Sequence, residues 1–221
     1  IVGTLNTGVV KNCVNKGPVS HDMSLVSGNG NWQSVGGIVG FVDADTASTV
    51  SDNTNEASGV ITGVAQSVNT MIGYGGIMGI IKPVGTFTNN VNKADIIASN
   101  ITGVVYAGGI AGIDYNKPIT TASGNVNRGN VSAAGPDAAT TAAGGIIGKN
   151  EISVNARGNK SFGQITSSGC VGAVAGVNTK TISDSVVSGV VNGVTLTAVN
   201  FAGYLCSNNT GTISGTTFGT E

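Results

Sequence analysis

A five-residue signature recurs along this chain and constrains its fold more than any other feature. It reads GGIVG at Gly36 to Gly40, GGIMG at Gly75 to Gly79, GGIAG at Gly108 to Gly112 and GGIIG at Gly144 to Gly148. Two weaker copies follow, GAVAG at Gly172 to Gly176 and AGYLC at Ala202 to Cys206. The starts lie 39, 33, 36, 28 and 30 residues apart. Self-similarity at this period marks a stacked architecture in which each unit packs mainly on its neighbours. The opening Ile1-Val2-Gly3 matches Ile38-Val39-Gly40, as if the chain began inside a further repeat. The expectation is one array over residues 1–221, a piece of a longer protein.

A second element follows each signature. NCVNKGPV (Asn12 to Val19), NNVNKADI (Asn89 to Ile96) and GNVNRGNV (Gly124 to Val131) are its clearest copies. Aligned with weaker copies, they give an asparagine column of Asn15, Asn55, Asn92, Asn127 and Asn159, then Val187. A mostly cationic column follows it (Lys16, Glu56, Lys93, Arg128, Lys160). A third column is aliphatic (Val19, Val60, Ile96, Val131, Ile165, Val191).

Apolar residues alternate with small or polar ones, and Gly, Asn, Asp and Ser bound each run, which is the pattern of short half-buried strands. No stretch carries a sustained helical period. Two or three strands per repeat, stacked at the inter-strand spacing of about 4.8 Å, make a β-solenoid. The fold class expected is all-β: a parallel β-helix, taken as right-handed, of about six coils of 28–39 residues. Ile38, Ile77, Ile110, Ile146 and Val174, continued by Ile1 and Tyr204, would form the inward ladder. The asparagines would sit at a turn, where Asn tolerates the left-handed conformation. The paired glycines would mark a tight corner or close backbone approach.

Composition narrows function. Charged residues are 10 % and the net charge is −1, so the chain lacks the basic surface that nucleic acid requires. No apolar run reaches the roughly 18 residues of a membrane helix. No metal or cofactor is expected, with one histidine (His21) and no CxxC pair. The glycine signature lacks the GxGxxG spacing of a phosphate-binding loop. Cys170 and Cys206 share inward parity, with registers roughly 20 Å apart. With Cys13 they are expected as free, buried thiols.

Carboxylates and lysines alternate in the turn after the signature: Asp43, Asp45, Asp114 and Glu151 with Lys82, Lys117, Lys149 and Lys180. A solvated turn of mixed charge explains them better than a paired-carboxylate hydrolase site. Thr-x-Thr pairs at Thr86, Thr179, Thr195 and Thr210 lie at different distances from the core residue of their repeats, so no threonine ladder for ice is expected. The exposed aromatics a glycan would stack on are Trp32, Tyr115 and Tyr106, with Trp32 foremost. Packing of Trp32 against the solenoid flank is the competing reading.

The motifs GGIVG, GGIMG, GGIAG and GGIIG, with the flanking N-x-x-N-K-G-x-V element, resemble the GLUG-type repeat of large bacterial and some protist surface proteins. That resemblance implies a secreted or surface-anchored β-solenoid of the adhesin or exoprotein kind. The function expected is an extracellular structural or adhesive protein without catalysis, a stalk or a fibre-forming array. Its partners would be further copies, end to end, or a glycan on a host surface. A polysaccharide-active or glycan-binding β-helix is the alternative.

Overall fold

The computed structural model describes residues 1–22, 32–43, 47–66, 71–82, 85–115, 121–151 and 156–220. Stacked parallel strands form a β-solenoid, with five strands to a full coil. The first sheet holds Gln33–Gly36, Ile72–Gly75, Val105–Gly108, Thr141–Gly144 and Cys170–Gly172. The second begins with Val2–Leu5 and Val39–Val42, and the third with Gly8–Lys11 and Ser48–Ser51. The fourth runs from Val14–Asn15 to Thr217–Phe218, and the fifth from Val19–Asp22 to Val190–Val191. Every pairing is parallel except the last of the fifth sheet, where Val194–Thr195 returns antiparallel on Val190–Val191.

The spacing of the signatures varies because the loops vary while the strands stay in register. Between the second and third sheets the connection runs from two residues after Asn178 to six after Asp114. Loops absorb such insertions cheaply, whereas a one-residue slip in a strand would turn its apolar side outward.

The expected core ladder forms. Ile38, Ile77, Ile110, Ile146 and Val174 are all buried in one cluster. The Ile38 N–H donates to Ile77 O (3.1 Å), Ile77 to Ile110 (3.1 Å), Ile110 to Ile146 (3.0 Å) and Ile146 to Val174 (2.9 Å). The next step differs from expectation. Val174 donates to Leu205 O (3.2 Å), so Leu205 continues the ladder, while Tyr204 belongs to a 3-10 turn, Phe201–Tyr204. That turn replaces the tight corner of the earlier coils. The aliphatic column is likewise corrected at one place: Val19 and Ile96 pair with Ile61, not Val60.

The two ends of the signature are glycine for two different reasons. A Cβ on Gly37 would lie 2.8 Å from the Asn55 side-chain carbon and collide with the Gly76 carbonyl. Gly76 meets Asn92 and the Gly109 carbonyl in the same way. The closing glycine instead lets the second sheet lie against the first at backbone distance: a Cβ on Gly112 would meet the Tyr74 N–H at 2.5 Å. Ile80, Ile113 and Val177 of the second sheet meet Tyr106 and Ala142 of the first in a second, smaller buried cluster.

Candidate functional site

The asparagines are internal scaffolding, arranged in ladders on two columns of the earlier coils where one was expected. A third ladder, Asn150–Asn178–Asn209, lies at the end of the second sheet in the later coils, where each Nδ2 donates to the next Oδ1 at 2.7 and 2.9 Å. Asn15, Asn55, Asn92 and Asn127 are Cα partners in the fourth sheet. Each Nδ2 donates to the next Oδ1, at 2.8 Å, 2.9 Å and 2.8 Å. Asn159 does not belong to this column. Its place is taken by Ser161, and Lys160 pairs with Val126 rather than following Arg128. Asn159 closes the second ladder, Asn53–Asn90–Asn125–Asn159, in which each Oδ1 accepts both the backbone N–H and the Nδ2 of the preceding asparagine at 3.0–3.2 Å. Asn53 to Asn159 and Asn55 to Asn127 are all fully buried. The N-x-N doublets at 53/55, 90/92 and 125/127 carry the signal that would have separated the ladders. Nor are these the left-handed residues. At the turn into the fourth sheet positive φ falls instead on Asn12, Asp52, Asn89, Gly124, Gly158, Asp184 and Gly215, each three residues before the column.

The aromatic candidates separate into two places. Trp32 and Tyr115 come together, with ring centroids 4.6 Å apart and planes at 84°. Phe41 meets the same indole at 5.7 Å and 81°. Trp32 is half-buried, so it packs on the flank and still reaches the surface. Tyr106 is only 6 % exposed and sits inside the second cluster, where no glycan could stack on it. The Lys149 ammonium lies 5.2 Å above its ring and 3.3 Å from Glu151. Burial raises the Tyr106 pKa. Burial pulls the Lys149 ammonium down, but Tyr106 and Glu151 outweigh it and leave its pKa raised.

Beside Trp32 the second sheet ends in a register that stacks Asp43, Lys82 and Tyr115. Their N–H groups donate to Leu5 O, Val42 O and Ile81 O at 3.0, 3.0 and 2.7 Å. The Lys82 Nζ lies 2.7 Å from Asp43 Oδ1 and 5.4 Å above the Trp32 ring. Trp32, Phe41, Asp43 and Lys82 line a cavity of about 440 Å³. The sequence puts Asp43 and Lys82 in a turn of mixed charge; the register of the second sheet stacks them beside Trp32. Asp114, read as part of the same solvated turn, is fully buried, and its carboxylate accepts the Glu151 N–H. Asp45 and Lys117 lie outside the described residues.

The three thiols are free but half-buried, not buried. Their parity also differs: Cys170 packs on the second cluster and Cys206 on the main core. Burial pushes the Cys206 thiol up to about 11, which leaves it protonated and unreactive near neutrality. Among the described residues no group of three or more His, Cys, Asp or Glu side chains could hold a metal ion, and no helix is long and apolar enough to cross a membrane.

A threonine column does exist. Thr49, Thr86 and Thr121 are partners in the third sheet, as are Thr181 and Thr212. Counting from the core residue missed it because the connecting loops differ in length. The neighbouring column carries Lys11 and Arg157, paired with Asp52 at 3.5 Å and Asp184 at 3.7 Å. These long charged side chains interrupt the face beside the threonines.

No protein-family model, curated protein or solved structure matches the chain.

Proposed function

We propose that this chain is an extracellular structural or adhesive surface protein, a stalk or fibre-forming repeat array of the GLUG-type kind, and that it performs no catalysis. The observation that carries the reading is the set of asparagine ladders, two in the earlier coils and one in the later. They run from coil to coil and satisfy their own amides, as a rod extended by repetition requires. Every added coil brings its own donors and acceptors, so length costs no unpaired polar groups. The near absence of net charge and the ion-paired state of Asp43, Asp52, Glu56, Glu151 and Asp184 fit a passive surface better than a pair of catalytic carboxylates.

Antibodies raised against the purified chain should label intact, unpermeabilised source cells. Labelling only after permeabilisation overturns the proposal. The intact mass of the natural protein then separates its two forms: a mass near 21.7 kDa favours a fibre subunit, and a much larger one a segment of a stalk. Glycan binding is the second reading, favoured by the cavity beside Trp32.

A further inference from the structure

We propose that the cavity lined by Trp32, Phe41, Asp43 and Lys82 is a binding site for an uncharged saccharide. The inference deepens the second reading above. It does not depend on where in the cell the protein resides.

Three properties of the site converge on that ligand. The first is shape and surface. Trp32 and Phe41, which line the cavity, meet edge to face, and Tyr115 holds the indole from outside the cavity in the same way. At about 440 Å³ the cavity falls within the range of small-ligand pockets. A pyranose offers an apolar C–H face for an aromatic ring and a polar rim of hydroxyls.

The second is the polar pair. A hydroxyl both donates and accepts, and the site supplies a carboxylate that accepts next to an ammonium that donates, 2.7 Å apart. Two adjacent hydroxyls of a sugar could therefore each find a charged partner, the stronger kind of hydrogen bond. Both side chains retain surface access, with 28 % of Lys82 and 39 % of Asp43 exposed.

The third is charge balance, which selects among ligands that an aromatic cage can hold. An exogenous cation, the usual guest of aromatic rings and a carboxylate, would have to displace the Lys82 ammonium from Trp32 and Asp43. An acidic sugar would bring its carboxylate against Asp43. A neutral sugar meets neither cost, because the pair it contacts already sums to zero.

The site is composite. Trp32, Phe41 and Asp43 come from one coil and Lys82 from the next, and Tyr115 of the one after packs on the Trp32 ring. It forms only where coils stack in the observed register.

Trp32 is the only tryptophan of the chain, so intrinsic fluorescence reports on the site directly. The purified chain would be titrated to millimolar concentrations with neutral cello-, manno- and xylo-oligosaccharides, with oligogalacturonate, and with choline. The proposal expects a saturable change in emission with at least one neutral oligosaccharide. That affinity should fall tenfold or more in Asp43→Asn and in Lys82→Gln, with thermal unfolding followed by circular dichroism to establish that each variant is folded. If either substitution unfolds the chain, Phe41→Leu, which removes a lining ring, provides the same comparison. No response to any neutral oligosaccharide overturns the proposal. So does a response confined to oligogalacturonate or choline, or one that the folded variants retain in full. None of these outcomes bears on surface labelling, so the two proposals fail separately.

Discussion

Coils in the first two thirds of the chain and those after residue 156 close the same corner with different side chains. In the earlier coils the second glycine of the signature faces a buried asparagine: Gly37 with Asn55, Gly76 with Asn92, Gly109 with Asn127. In the next coil Gly145 faces Ser161. One coil later the glycine has become Ala173, and the fourth-sheet column holds Val187. The glycine therefore outlasts the amide by one coil. It makes room for the Asn55, Asn92 and Asn127 amides and then for the Ser161 side chain, and becomes alanine only where the facing column turns apolar. The carbonyl above the glycine changes as well. Interior corners meet the carbonyl of an identical corner, whereas Ala173 donates to Tyr204 O (2.8 Å), in the 3-10 turn. An alanine methyl fits at residue 173 because the following coil is built differently there.

The harshest test of the shared frame is Ile110→Asp. Ile110 lies in the main core at 3 % exposure, between Ile77 and Ile146. A carboxylate there has no partner, and the cost should exceed about 4 kcal/mol. The variant should lose its cooperative melt by circular dichroism; one that melts like the parent would show that the ladder is misassigned.

The next test addresses the corner. Gly76→Ala should cost about 3 kcal/mol, read from chemical denaturation, because its methyl would be driven into both Asn92 and the Gly109 carbonyl. Adding Asn92→Val reproduces the Ala173–Val187 pair in an earlier coil. The double variant should remain destabilised, since the carbonyl is still in place. Full recovery would mean that the amide ladder alone demands the glycine.

A gentler change sharpens the comparison from the other side. The Ser161 hydroxyl finds no hydrogen-bond partner among the described residues, although it occupies the next position after Asn127. Ser161→Asn would carry the ladder one coil further. It should stabilise the chain by about 1 kcal/mol, visible as a raised denaturation midpoint with an unchanged slope. A loss of stability would show that the ladder ends at Asn127 for want of space.

Much of the frame was legible because it is periodic. Ile38 through Val174 and Asn15 through Asn127 fall at matching places in successive repeats, and stacking turns that match into contact. Reading failed where two equivalent features lay two residues apart. Asn159 was assigned by its neighbour Lys160, although it continues the Asn125 ladder. It failed again where loop length intervened, as with the threonine column. Period carries information about strands in register. Asp43, Lys82 and Tyr115 were legible in the same way, each five residues after its signature isoleucine. Because that column mixes an acid, a base and an aromatic, period alone does not announce it as a site.

The smallest effect concerns a feature of the earlier coils alone. Tyr74 belongs to the inward column of the first sheet, where Val35, Ala107 and Ala143 are its counterparts. Its ring crosses to the fifth sheet, fills the space a side chain on Gly63 would need, and places its hydroxyl 2.9 Å from His21 Nδ1. Burial lowers the His21 pKa below its usual 6.5, partly offset by Asp22. Burial also raises the Tyr74 pKa, so the phenol stays neutral and can donate to the imidazole. Because the folded state holds His21 less protonated than the unfolded chain does, its contribution is fully present above pH 6.5. It is lost as the pH falls below that value toward the depressed folded pKa. Chemical denaturation across that window should show stability declining with acidification, and His21→Gln should flatten this part of the profile. An unchanged slope in the variant would place the proton uptake elsewhere in the chain.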